Sequence, residues 1–160
     1  MNNMNATVLI VDDDAAIRES LRKLLQAEGY EVVLATNGQE GLDLFGPTQI
    51  DLVLLDLNLP AKSGWDLFER FTSLNPLLPV IVITGRNNQY RLAAAAGVGA
   101  LMEKPLDVPL LLRTISEMLA EPAEARLKRL VGMSSLVRYG SPENPLQNSI
   151  WTRSEWGQNE

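Results

Sequence analysis

The chain has 160 residues, 46% of them hydrophobic and 21% charged, enough for one globular domain with a real core and a short appendage, and too few for a second large domain. It contains no cysteine and no histidine, which excludes thiol nucleophiles, zinc sites of the usual Cys and His kinds, Ser-His-Asp triads and a phosphohistidine relay within the chain. The net charge of −6 is uneven, with 9 Lys/Arg against 15 Asp/Glu in residues 1–120 and 5 of each in residues 121–160; an acidic body argues against binding of nucleic acid through phosphate contacts.

The N-terminus, MNNMNATVLIV, lacks the basic region and long apolar stretch of a secretion signal. No run approaches the roughly 20 apolar residues of a membrane span, so a cytoplasmic protein with no membrane contact is expected.

Short runs rich in Val, Ile and Leu alternate with stretches of helical period, the signal of repeated βα units and a parallel sheet. The first run, Thr7–Val11, leads straight into Asp12, Asp13 and Asp14. Like charges about 4 Å apart repel by roughly 4 kcal/mol per pair at the effective dielectric of a partly buried site, so this triplet calls for a bound cation or for solvent. Asp14 is expected to cap a helix beginning at Ala15, whose residues Ile17, Leu21, Leu24 and Leu25 form an apolar stripe and which Gly29 stops.

A strand over Glu31–Ala35 and a helix over Gly38–Phe45 follow. The run Leu52–Leu55 is apolar at four consecutive positions before Asp56, which suits a strand covered on both faces. It is placed centrally in a doubly wound sheet, where ligands bind beyond the carboxyl ends of the strands. A helix over Gly64–Leu74, a strand over Val80–Ile83, a helix over Asn88–Ala96, a strand over Ala100–Met102 and a helix over Val108–Leu119, striped at Leu111, Ile115, Met118 and Leu119, complete five βα units. The polar residues ending the strands, Asp12 to Asp14, Asp56, Thr84 and Lys104, should then converge on one edge of the sheet.

The segment EPAEARLKRLVG reads as a short helical extension within residues 120–132, with Pro122 at its first position, a stripe at Ala123, Leu127, Leu130 and Val131, and Gly132 as its end. Residues 133–160 show no clear period and are expected to form a flexible tail, with no DNA-binding domain. Trp151 and Trp156 lie in that tail, either as anchors folded back on the domain or as part of a partner-binding peptide.

Hard cations such as Mg²⁺ prefer carboxylate and carbonyl oxygens and keep several waters or phosphate oxygens. Asp12, Asp13 and Asp56 would supply such a site. A carboxylate can also act as a nucleophile and form an aspartyl-phosphate. Phosphoryl transfer asks the protein mainly for positioning and for neutralisation of the equatorial oxygens, which a metal, a hydroxyl and a lysine provide.

The motifs VLIVDDD, LVLLDLNLPAKSG, VIVITG and EKP, in this order and spacing over roughly residues 6–119, resemble the receiver domain of two-component response regulators. The resemblance implies a flavodoxin-like (βα)5 fold with strand order 2-1-3-4-5. It makes Asp56 the phosphoacceptor for a phosphohistidine on a sensor histidine kinase or phosphotransfer protein. Asp13 matches the direct Mg²⁺ ligand, Asp12 its neighbour acting mainly through water, and the Asn58 backbone carbonyl the third protein ligand. Thr84 matches the hydroxyl that meets the phosphoryl group, and Lys104 the cation that pairs with it. The Lys104–Pro105 bond looks like the family's cis peptide, and Pro60 and Gly64 match the turn after the phosphoacceptor. Asn58 and Arg86 fall where the family borders the phosphoryl group and tunes its loss to water.

Three positions depart from the family pattern: Leu101 stands where Tyr or Phe is usual, Leu106 replaces the Phe after Lys-Pro, and Val98 replaces an Ala. Because that aromatic normally swings with the Thr, the switch position formed by Thr84 and Leu101 is expected to read out differently. The leading expectation is a phosphorylation-driven switch, not an enzyme beyond slow self-catalysed phosphotransfer and autodephosphorylation. It would act on an unknown downstream protein through the face of helix 88–96, strand 100–102 and helix 108–119, or through the tail, with a phosphorylation-dependent homodimer as one form of output. One alternative is a receiver-like module that binds proteins without phosphate. Another is a haloacid-dehalogenase-type phosphatase with Asp12 as nucleophile, against which stand Ala15 and Ala16 after Asp14 and the lack of an apolar strand ending in paired acids after Lys104.

Overall fold

The apolar runs fold as strands and the striped segments as helices, with β1 (Thr7–Val11), α1 (Ala15–Ala27), β2 (Glu31–Ala35), α2 (Gly38–Phe45), β3 (Leu52–Asp56) and α3 (Gly64–Leu74) in the first half. The second half holds β4 (Val80–Thr84), β5 (Ala100–Glu103), α4 (Val108–Ala120), α5 (Ala123–Leu130), β6 (Val137–Gly140) and β7 (Ile150–Trp151). This computed structural model describes residues 5–59, 63–86, 89, 93, 96–131, 137–140 and 150–151. By its internal contacts the chain divides into two units, Met1–Val80 and Ile81–Glu160. The helix expected over Asn88–Ala96 lies largely outside the described residues, as do Pro60, Gly132 and Trp156.

In the first unit β1 pairs in parallel with β2 on one side and β3 on the other, in the registers Thr7↔Glu31 and Val8↔Leu52. Val8 to Val11 and Leu52 to Leu55 are buried at 1% exposure or less, the two-sided cover that four consecutive apolar residues imply. The carboxylate of Asp14 caps α1, accepting from the amides of Ala16 at 2.9 Å and Ile17 at 3.1 Å. At the other end Gly29 adopts φ 91°, and the amides of Tyr30 and Gly29 return to the carbonyls of Leu25 and Gln26. This paired closure needs a residue free to enter the left-handed region. Leu21 and Leu25 carry the buried part of the stripe.

In the second unit β4 and β5 are parallel, with Thr84↔Glu103 in register. Asp107 caps α4 by accepting from the Leu110 amide at 3.0 Å, and Leu111, Thr114, Ile115 and Met118 form its buried face. Thr114 joins that face on one flank, and Leu119, counted in it from the sequence pattern, is half-buried on the other. Beyond α4, Arg126 on α5 reaches back to the carbonyls of Met118 and Leu119 and satisfies groups that a helix end leaves open. Leu127 and Val131, expected as part of an apolar stripe, are exposed at 53% and 61%.

Within the tail expected over 133–160, two short segments are described, and both are strands. Val137–Gly140 adds to β5 as a parallel strand and Ile150–Trp151 pairs antiparallel with it. An edge strand offers a row of open N–H and C=O groups, and a parallel addition needs a long crossover, here the stretch through α4 and α5. Because the new strand pairs with residues far back in the chain, its local composition gave little sign of it.

Candidate functional site

Three strands run one residue further than their apolar runs, so Asp56, Thr84 and Glu103 are held by ladder geometry. In the first unit the register Val11↔Leu55 sets Asp12, just past β1, beside Asp56 at the end of β3. Asp12 and Asp56 are each 2% exposed and Asp13 is exposed. One carboxylate oxygen from each of Asp12, Asp13 and Asp56 can be chosen so that all three lie within 4.8 Å of one another.

The backbone holds this cluster from several sides. The Asp12 amide donates to the Ala35 carbonyl at 3.2 Å, and the Asp12 carboxylate accepts from the Asp14 amide at 2.9 Å. The Asp56 carboxylate accepts from the Asn58 amide at 3.0 Å. The two bonds from the Asp14 and Asn58 amides go to charged acceptors and are stronger than neutral ones. The donor set is all hard oxygen, open on the side of exposed Asp13, which is what a Mg²⁺ site with a few protein ligands requires. The cluster fits a divalent cation of that kind.

In the second unit Thr84 and Lys104 are brought together. The Lys104 amide donates to the Thr84 carbonyl at 2.8 Å, and the Thr84 hydroxyl oxygen accepts from the amide of exposed Arg86 at 2.9 Å. Thr84 is fully buried, and Lys104 is half-buried ahead of a cis peptide bond to Pro105. Leu101 and Val98, two of the departures, are fully buried, and Leu106 is half-buried.

Sequence reasoning did not single out Arg18, whose Nη1 donates to the Asp12 backbone carbonyl at 2.7 Å and ties α1 to the acidic loop. A usable signal existed: a basic residue near the start of a helix opposes its dipole, so its presence there points to an acceptor outside the helix.

The chain matches the model of the response regulator receiver domain over residues 8–116. A response regulator, MprA of Mycolicibacterium vanbaalenii, is 39% identical over 97 residues, which cover 61% of this chain and 42% of that protein. The chain spans about 30% to 60% of the length of the curated relatives it matches. Among solved structures, a CheY-like receiver domain protein from Methanospirillum hungatei superposes with a TM-score of 0.70 at 36% identity, covering 76% of this chain and 98% of that one. The response regulator TrrA of Thermotoga maritima, solved in complex with Mg²⁺ and BeF, gives 0.66 at 28% identity, covering 71% and 98%. These likenesses displace the phosphatase alternative, and with strand order 2-1-3-4-5 in the parallel part of the sheet they lead to one assignment. The chain belongs to the response regulator receiver family and carries a receiver domain of two-component signalling.

Proposed function

We propose that Asp56 is the phosphoacceptor of this receiver, taking its phosphoryl group from the phosphohistidine of a sensor kinase or phosphotransfer protein in the cytoplasm. The observation that carries this reading is the trio of carboxylates within 4.8 Å of one another at the ends of two adjacent buried strands. An Asp56 carboxylate oxygen attacks phosphorus, the P–N bond breaks, and the imidazole nitrogen leaves with its electron pair. Asp12, Asp13, Asp56 and the Asn58 carbonyl would hold Mg²⁺, which when bound supplies positive charge to the phosphoryl oxygens. The Thr84 hydroxyl and the Lys104 ammonium meet the same oxygens as donor and counter-charge.

In this reading the aspartyl-phosphate is the signal. It adds negative charge and shifts the population between two conformations. Thr84 turns toward the phosphoryl group. Leu101, aliphatic and buried where the family has an aromatic ring, passes that movement on by repacking rather than by a ring swinging in. The output is a downstream protein or a second copy of the chain. Water later attacks the acyl phosphate and restores Asp56, with Asn58 and Arg86 beside its path, so the chain is a signalling protein whose self-catalysed turnover is slow.

Intact mass after incubation with Mg²⁺ and acetyl phosphate tests this reading. Wild type gains one phosphoryl group, Asp56→Asn gains none, and Lys104→Ala gains it more slowly. An adduct that persists in Asp56→Asn would overturn the assignment, and no adduct from acetyl phosphate or a kinase would favour the module that binds proteins without phosphate.

A further inference from the structure

With β4 on one side, β5 has a second edge whose N–H and C=O groups are a template for another strand. Residues Val137–Gly140 fill it in the parallel register Ala100↔Arg138, Leu101↔Tyr139 and Met102↔Gly140, and the Arg138 amide donates to the Gly99 carbonyl at 3.1 Å. Backbone pairing alone takes any extended segment; a side chain gives the choice.

That side chain is Arg138. Its Nε lies 3.3 Å from the Glu117 carboxylate and its Nη1 3.8 Å from that of Glu121. The Arg138 side chain is 22% exposed and the Glu121 side chain 10%, so part of this ion-pair network is withdrawn from water. The positions of the two acids add to the case. Glu117 lies in the last turn of α4 and Glu121 is its C-cap, and that turn carries no basic residue. Negative charge at a helix C-terminus is unfavourable, and here a cation from another strand offsets it.

We propose that the β5 edge together with the Glu117 and Glu121 carboxylates is a docking site for an extended strand bearing arginine. In this chain its occupant is the chain's own Val137–Gly140, which a partner strand must displace to reach β5. The site is independent of phosphoryl chemistry at Asp56, and its failure would leave that reading untouched.

Two readouts on the full chain test it: hydrogen exchange of the Val137–Gly140 amides, and binding of a labelled synthetic peptide of residues 134–142. Arg138→Glu should lower the protection of those amides by at least about tenfold, given a partly buried pair turned into a repulsion. Arg138→Lys should retain most of it, and Arg138→Glu combined with Glu117→Arg and Glu121→Arg should restore it. The peptide should bind the Arg138→Glu chain at least about tenfold more tightly than wild type, and the same peptide with Glu at its arginine position should bind neither. If Arg138→Glu loses its cooperative melt, Glu117→Gln with Glu121→Gln reads the same pairing with the strand sequence intact, and protection should again fall. Unchanged protection in a folded variant, or peptide binding indifferent to its arginine, overturns the proposal. So does a wild-type dimer that trades isotope-labelled copies of residues 137–140, since the occupant would then come from the second copy.

Discussion

Replacing Gly64 by alanine tests how tightly the site loop is built. Gly64 opens α3 directly after its cap, Ser63. A Cβ there would lie 2.5 Å from the Leu57 Cα, 2.8 Å from its Cδ2 and 3.0 Å from its carbonyl oxygen. The methyl end can swing away; the Cα and carbonyl cannot move without taking along the chain from Asp56 to Asn58. Overpacking of this kind costs about 1–3 kcal/mol, and alanine's helix preference over glycine returns at most about 1 kcal/mol. A net loss of about 1–2 kcal/mol corresponds to a melting temperature lowered by roughly 3–6 °C for a domain of this size. The movement also strains the bond from the Asn58 amide to the Asp56 carboxylate, 3.0 Å long, so Mg²⁺ affinity measured by calorimetry should fall along with stability. Gly46 is the control: a Cβ there meets nothing within 4 Å and its backbone is helical at φ −67°, ψ −55°, so Gly46→Ala should gain about 0.4–1 kcal/mol. Gly64→Ala melting at or above wild type with unaltered Mg²⁺ affinity would refute the reasoning, because the loop would then yield without penalty.

Asp13→Asn removes one of three carboxylates gathered within 4.8 Å; in metal-free buffer it should raise stability by about 1 kcal/mol through relief of repulsion, while Mg²⁺ affinity drops at least about tenfold. A variant destabilised without metal would show that the acids do not repel one another there. Asp14→Ala removes the acceptor of two amides of α1 and should cost about 1 kcal/mol in urea unfolding, with Mg²⁺ binding kept. The Thr36 hydroxyl and backbone amide hold the Glu40 carboxyl below its ordinary value of 4.5. Its charged form therefore contributes stability that is present above that value and is lost as pH falls through the lowered one. Glu40→Gln should accordingly be less stable than wild type at neutral pH, and the gap should close as pH is lowered from 4.5; a gap constant with pH would rule out the charge as its source.

The parallel core and the acidic cluster were legible because each followed from a run that ends abruptly. Four buried apolar residues before Asp12, and four before Asp56, say where a strand stops and what chemistry stands at its end. Gly29 and Asp14 were equally readable, since a left-handed closure and an N-cap each favour few residue types. The segment Val137–Gly140 was not. It is four residues long between GMSSL and SPENPLQNS, and its stability rests on an edge and two acids placed by residues Ala100 to Glu121. Tertiary pairing of that kind leaves no local period to read. Leu127 and Val131 show the converse: a helical apolar stripe was present in the sequence, yet periodicity does not say whether a neighbour covers it.

Among the described residues, two places set carboxylates where unaided electrostatics disfavours them, the C-terminal end of α4 and the acidic cluster. Glu117 and Glu121 crowd the C-terminal end of α4 and are met by Arg138 from within the chain, so their repulsion is neutralised on folding and the result is a fixed contact. At the acidic cluster Arg18 bonds the Asp12 backbone carbonyl and so fixes the loop that carries the carboxylates of the cation site. Stability should therefore depend strongly on divalent cation through the second place, since a ligand that binds the folded state stabilises it by mass action, and only weakly on monovalent salt through the first, since partly buried ion pairs are screened much less than exposed ones. Melting curves over a Mg²⁺ series at fixed ionic strength, and over a NaCl series without Mg²⁺, separate the two. Asp13→Asn should flatten the first dependence and Arg138→Lys should leave it unchanged; a Mg²⁺ response that survives in Asp13→Asn would move the cation away from these acids.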